Sequence, residues 1–409
     1  MERKIIRQGL ILGLAVLILF VGSSAGKEPK PIGFGRTFGG QIFERAHYIG
    51  QTKDGYLAVV AVLSEPDPDK ALRYFWALKL DDKGEMTGSK IFKPVNYYRY
   101  LEMFPAEDGK YILAGKLAYY LTYRKRDEFF INKIDENNQK DWEEEHTQIN
   151  SDFPFDIKRT GDGGFIIVGK TSYVGKGMAD YCVMLLNKVG KLVWDKAFGT
   201  TYEDDAVSVD LAKDGGFIVA GNTSHPNALV VKIDKKGAKE WDREFQEEAI
   251  AVLTAEDGGY VLLGAAAPGL GSSQSQEVVL TKILEKGSPD WEKRLPQFTV
   301  EDFPPAIIRT RDGGYILAGQ TNVQGSGDKD LFVLKLDRKG NRVWDRTFGG
   351  PKAEGANAIS QTKDGGYIVA GFTDSFVNKE RDVYDRDLWI LKLDEKGDCA
   401  VQGCHQRGQ

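Results

Sequence analysis

Histidine and cysteine are scarce in this sequence, with four of the first and three of the second among 409 residues. The histidines, His47, His146, His225 and His405, share none of the spacings, such as H-x-x-x-H or H-E-x-x-H, that bring imidazoles onto one metal. The sole G-x-S-x-G match, Gly22 to Gly26, follows an apolar run rather than forming a strand-to-helix elbow, and no phosphate-binding loop occurs, so no catalytic residue and no cofactor is predicted. Basic blocks are missing as well. Charges of both signs alternate to a formal net charge of −5, which disfavours nucleic acid and anionic membranes as partners. Long Ala/Leu-rich stretches are absent, whereas glycine numbers 47, a balance that favours strands and turns over helices.

The longest apolar run, Gly9 to Val21, spans 13 residues and is too short for a membrane helix of about 20. It follows the basic residues Arg3, Lys4 and Arg7 and precedes Ser23-Ser24-Ala25, the pattern of an export signal cleaved before Gly26. An uncleaved anchor is the competing reading. No cysteine follows the run to carry a lipid. Residues 1–25 are therefore read as a signal peptide and 26–32 as a short leader, and the protein is expected outside the cytoplasm: periplasmic, at the cell surface or secreted. Removal of the signal, with Glu2 and three basic residues, takes the formal charge to −7.

What the sequence does hold is one phrase, seven times over. A D-G turn followed by an aromatic residue and an apolar run recurs at Asp54, Asp108, Asp162, Asp214, Asp257, Asp312 and Asp364. The intervals are 54, 54, 52, 43, 55 and 52 residues, the size of one four-stranded propeller blade. The sixth unit shows the four strands most plainly. A-I-I-R-T from Ala306 precedes the turn and G-Y-I-L-A-G-Q-T from Gly314 follows it; D-L-F-V-L-K-L-D from Asp330 leads through Lys339-Gly340 to R-V-W-D-R-T-F from Arg342. Asp-Gly favours a tight hairpin because glycine reaches positive φ without a Cβ clash.

The seven tryptophans fall in two columns of the repeat. Trp142, Trp194, Trp241, Trp291 and Trp344 lie in the fourth strand, and Trp76 and Trp389 in the third. Such columns predict packing between blades. Cys182 shares the third-strand column and reads as a buried, inert thiol.

The seventh unit stops after its third strand, at Asp394 to Cys399. The missing strand stands at the other end of the chain. G-F-G-R-T-F-G-G, Gly33 to Gly40, aligns with V-W-D-R-T-F-G-G from Val343, with Phe34 in place of tryptophan. The pentapeptides R-T-F-G-G and Q-T-K-D-G both recur at an offset of 310 residues. The expected fold is therefore all-β: a seven-bladed propeller of four-stranded antiparallel blades over 33–398, its ring closed by the N-terminal strand, followed by a C-terminal tail over 399–409. Closure leaves only short sheet edges, which disfavours aggregation.

With these motifs in place, T-x-D-G-G-[YF]-I-x-x-G followed by L-x-K-[LI]-D-x-x-G-x-x-x-W-D, the chain resembles the repeats of exported bacterial and archaeal β-propeller proteins. The resemblance covers nearly all of the mature chain and implies fold rather than activity. L-D-R-K-G-N-R-V-W, from Leu336, is also similar to the tryptophan-docking repeat of quinoprotein dehydrogenases, which has one more residue between Asp and Gly and commonly eight blades.

Strand order puts the tight D-G and K-G turns on one face and the second-to-third loops and blade connections on the other, where the chain spends its length. That long-loop face carries Tyr97, Tyr98, Tyr119, Tyr120, Tyr123, Arg124, Arg126, Tyr202, Glu203, Asp204, Asp205 and Tyr384. Tyrosine interleaved with charge suits a protein or glycan partner, because each ring offers area at low entropic cost; ordinary solvated loops are the alternative. The pairs Asp328/Asp330 and Asp385/Asp387 are weak calcium candidates, since the column of Asp330 and Asp387 also holds Asn227 and reads as loop capping. Cys399 and Cys404 are either a disulfide that pins the tail or two free thiols.

The expected function is a monomeric extracytoplasmic binding or scaffold protein that does not insert in the membrane after signal removal. The alternative is a carbohydrate-active or quinone-dependent enzyme with its site at the channel mouth. Its paired carboxylates would come from Glu203, Asp204, Asp205, Glu301 and Asp302.

Overall fold

The computed structural model describes residues 33–39, 44–63, 73–92, 98–106, 108–117, 128–137, 139–146, 151–171, 175, 177–223, 227–266, 276–298, 304–322, 328–376, 386–399 and 403–406. The signal peptide and leader, residues 1–32, lie outside them. Among the described residues no helix is long and apolar enough to cross a membrane.

The strands form seven four-stranded antiparallel sheets, and in six of them four consecutive strands pair in chain order. The seventh sheet contains Glu354–Gln361, Tyr367–Thr373 and Asp387–Leu393, and its outermost strand is Phe34–Phe38. Phe34 pairs with Lys392 and Phe38 with Leu388, antiparallel and without a register shift. First strands of adjacent blades lie against one another at all seven seams, so the ring is closed as the repeat predicts.

The core is divided among the seams, because each sheet buries its two faces against its neighbours. The fourth-strand aromatics do this packing. Trp194 meets Phe217 of the next blade at 6.1 Å between ring centroids, Trp241 meets Tyr260 at 5.9 Å and Trp344 meets Tyr367 at 5.8 Å. Phe34 meets Tyr56 at 5.7 Å, filling the same role at the seam that joins the last blade to the first. The third-to-fourth turn of each following blade docks on these rings. A Cβ at Gly84 (φ 78°) would stand 2.5 Å from Phe34, and one at Gly397 (φ 79°) would stand 2.5 Å from Trp344. Glycine is required there both by its conformation and by the ring beneath it. Trp389 and Cys182 are buried, and Cys182 takes part in no disulfide among the described residues.

The repeated aspartate of the D-G turn has a partner in the third strand. Lys232 binds Asp214 at 2.7 Å, Lys282 binds Asp257 at 2.5 Å, Lys335 binds Asp312 at 2.8 Å and Lys392 binds Asp364 at 2.9 Å. Each lysine side chain is buried almost entirely, and its ammonium group meets a carboxylate that is half solvated. Blade 3 has Leu185 at this position, and in blade 1 Lys79 reaches Glu136 of the next blade instead.

The innermost strands carry a β-bulge in six blades, for example between Ala206 and Ser208 and between Ala356 and Ala358. Blade 6 has only the short strand Ala306–Arg309 there. Side chains lace these strands together around the axis. Asp156 accepts from Val209 N (3.0 Å) and Ser208 Oγ (3.2 Å); Ser208 Oγ accepts from Val252 N (3.2 Å); and Asp210 accepts from Thr254 N (2.7 Å). Three blades are thus tied by groups that satisfy one another's buried hydrogen-bonding needs.

The tail folds back over the seam between blades 6 and 7. Cys399 and Cys404 are joined in a disulfide with Cα atoms 6.0 Å apart, and both are buried in the core of that seam. The amide of Gly349 donates to His405 O at 3.1 Å, Gln406 accepts from Cys399 N at 2.9 Å, and the His405 ring stacks on Phe376 at 3.8 Å.

Candidate functional site at the seam of blades 3 and 4

The described part of the long-loop face centres on Thr-Tyr-Glu-Asp-Asp, residues 201–205, which joins the outer strand of blade 3 (Leu192–Phe198) to the inner strand of blade 4 (Asp204–Leu211). This connection is a built turn. The Asp204 carboxylate accepts from Thr200 N at 2.7 Å and from Thr200 Oγ1 at 3.0 Å, and the same hydroxyl accepts from Tyr202 N at 3.1 Å. Asp204 N donates to Ala179 O at 2.9 Å, and Ala179 and Glu203 form a parallel bridge between the two blades. A Cβ on Gly199 would collide with both Asp180 and Asp204, so only glycine lets the chain turn between them.

This geometry corrects one element of the sequence-based site. Asp204 is fully buried and serves the turn, so it presents nothing to a partner. Burial pushes its carboxyl above the usual range, the Thr200 donors oppose the rise, and the charges of Asp180 and Asp205 add to it. Asp205 and Glu203 remain accessible in part and share Lys170, at 3.0 and 3.8 Å. Tyr202 is 54% exposed. Beside it stands Met178, 75% exposed, which the sequence reading did not single out. Both residues immediately precede members of the Ala179–Glu203 bridge, so one backbone contact sets their spacing. Only the fold brings Met178 to Tyr202, because they belong to different blades.

Tyr97, Tyr119, Tyr120, Tyr123, Arg124, Arg126, Tyr384, Glu301, Asp302 and Asp385 lie outside the described residues. Tyr98 opens the first strand of blade 2, Tyr98–Pro105. Of the two calcium pairs only Asp328/Asp330 lies wholly within the described residues, and its two carboxylates are differently placed. Asp328 is exposed, whereas Asp330 is fully buried and faces Glu354 across Gly349. Glu354 in turn accepts from Gly350 N (2.7 Å), Thr373 Oγ1 (2.9 Å) and Ser375 N (3.1 Å), the arrangement of a loop cap. Among the described residues no group of three or more His, Cys, Asp or Glu side chains is placed to hold a metal. On the opposite, tight-turn face, an open depression of ≈ 500 Å³ is lined by Arg159 and Leu211 at strand ends and by Thr160 and Asp162 of a D-G turn.

The sequence matches no known protein-family profile. A stretch of 98 residues is 29% identical to an uncharacterized WD repeat-containing protein of Acanthamoeba polyphaga mimivirus; it takes in 24% of this chain and 6% of that relative. Among solved structures, Sqt1 from Chaetomium thermophilum is similar over 88% of this chain and 99% of its own, with a TM-score of 0.50 and 10% identity. A puromycin hydrolase aligns over 82% of this chain and 50% of its own, with a TM-score of 0.49 and 12% identity. At such identity the likeness to Sqt1 extends to the propeller architecture alone.

Proposed function

We propose that this protein is an exported, non-catalytic propeller that binds a protein or a polysaccharide through its long-loop face. The observation that carries this reading is the pair Met178 and Tyr202, large side chains standing in solvent on a turn that Asp204 holds rigid. A pre-formed aromatic and thioether surface binds at low entropic cost, and the Lys170, Glu203 and Asp205 charges beside it supply the polar rim of such an interface. The fold supports the reading, since a propeller offers many loops on a stiff frame.

The test is a glycan array probed with the purified protein, followed by calorimetric titration of any hit against wild type and Tyr202→Ala. Saturable binding that weakens at least tenfold in the variant, with its melting temperature unchanged, supports the proposal. Turnover of a bound sugar would replace it with the enzymatic reading.

A further inference from the structure

The seam of blades 3 and 4 holds a second feature that the exposed surface does not use. Asp180 opens the third strand of blade 3 and is 2% exposed; Asp204 opens the first strand of blade 4 and is fully buried. The two carboxylates meet across Gly199, Asp180 through Oδ1 and Asp204 through Oδ2. Asp204 has its donors in Thr200. Asp180 Oδ2 accepts from Gly177 N at 3.0 Å, but Asp180 Oδ1 is buried and accepts from no group among the described residues. Lys170, on the neighbouring strand, is held by Asp205 and Glu203.

Two buried carboxylates with one oxygen unserved need a counter-charge, since an uncompensated buried charge is costly. The other seams show the contrast. In blade 4 the column of Asp180 holds Asn227, which removes one charge; at the seam of blades 6 and 7 the buried Asp330 meets Glu354 across Gly349 in the same layout, but Glu354 has three donors where Asp204 has two. Other oxygens gather at the seam of blades 3 and 4: the carbonyls of Thr200 and Tyr202 both approach Gly177, whose amide binds Asp180. An all-oxygen set of carboxylate and carbonyl groups in irregular geometry suits calcium, which accepts six to eight oxygens and tolerates water among them. It does not suit zinc, which takes nitrogen and sulfur, or magnesium, which demands near-ideal octahedral geometry.

We propose that this seam is a calcium site, in which Asp180 and Asp204 hold the ion from adjacent blades while main-chain carbonyls and water complete its shell. The ion would clasp the Thr200–Asp205 turn to blade 3. The inference is independent of what, if anything, Tyr202 binds.

The full chain, stripped with chelator, is titrated with calcium and separately with terbium, whose luminescence is excited through nearby tyrosines. The expected result is saturable binding with a dissociation constant of roughly 10⁻⁴–10⁻³ M and a melting temperature raised by about 2 °C at ten times that concentration. Asp180→Asn should abolish both effects yet fold, because Asn227 occupies the same column in blade 4; Asp204→Asn is the second variant. Glu354→Gln should leave both effects intact. Absence of saturable binding by wild type overturns the proposal. So does binding that survives in both seam variants. A higher neutral-pH melting temperature for Asp180→Asn without any calcium response would show that the pair shares a proton instead.

Discussion

The Arg36 guanidinium, carried by the first described strand, lies 2.8 Å from the carboxylate of Glu85 in the first blade. Arg346, 310 positions later, holds Asp398 of the last blade in the same way at 2.7 Å. Each arginine belongs to R-T-F-G-G, and each carboxylate follows the turn glycine on which Phe34 or Trp344 is docked. The second repeated phrase works at the same two seams on the tight-turn face. Gln361 accepts from Arg311 N at 2.8 Å, and Gln51 accepts from Lys363 N at 2.6 Å. The repeated pentapeptides are therefore two sides of one joint, used between blades 6 and 7 and again where blade 7 meets blade 1.

If Phe34 is the closing wedge, Phe34→Ala should cost about 3 kcal/mol, the range for removing a buried aromatic side chain. Arg36→Ala, at a partly exposed pair, should cost only about 0.5 kcal/mol. Denaturant unfolding measures both. An equal effect of the two would place the strength of the closure in the ion pair and contradict the packing account.

Gly84 and Gly109 separate conformation from docking. Both have φ near +78°, but a Cβ on Gly109 meets nothing within 4 Å, whereas one on Gly84 strikes the Phe34 ring. Gly109→Ala should cost about 1 kcal/mol, the left-handed penalty alone. Gly84→Ala should cost at least about 2 kcal/mol, since overpacking adds to it. Thermal unfolding of the two variants side by side decides the matter.

The Asp–Lys pairs give the fold an acid-sensitive limb. Burial pushes the Asp312 carboxyl up, but Lys335, Thr310 and the Gly314 amide together outweigh it and leave it at about 2. A carboxyl depressed on folding contributes stability that is complete above its unfolded value of about 4 and vanishes as pH falls through the folded value. The loss should therefore run from pH 4 to pH 2. Lys335→Met should flatten that part of the stability–pH profile while leaving the shape above pH 5 unchanged. A profile identical to wild type below pH 4 would rule out this pair as a contributor.

Reduction of Cys399–Cys404 should loosen the tail locally. The disulfide closes a small loop, worth about 2 kcal/mol on a chain-entropy estimate. Hydrogen exchange is the readout: the Gly349 amide, donated to His405 in the tail, should lose protection in the Cys404→Ser variant. The amide of Val231, paired in the middle of blade 4, should be unaffected.

Most of the architecture was legible because it is written in periodic columns. The D-G turns fix the hairpins, and the displaced R-T-F-G-G at Arg36 announced the closure. The Lys column of the third strand was equally visible as a column, yet nothing in its spacing revealed that Lys335 reaches back to Asp312, because that contact crosses a sheet. Asp204 is the clearest failure. In the sequence it is one of three adjacent acids on a loop, and strand polarity alone sends its side chain inward while Glu203 stays at the surface.

The sequence by itself determined the number of blades, their strand order and the joining of the termini, since these follow from repeated local signals. The tertiary structure alone decided which carboxylates are buried, that Met178 stands beside Tyr202, and that the tail covers the seam of blades 6 and 7. Local propensity sets where a strand turns, but burial, and with it charge and contact, is set by neighbours distant in the chain.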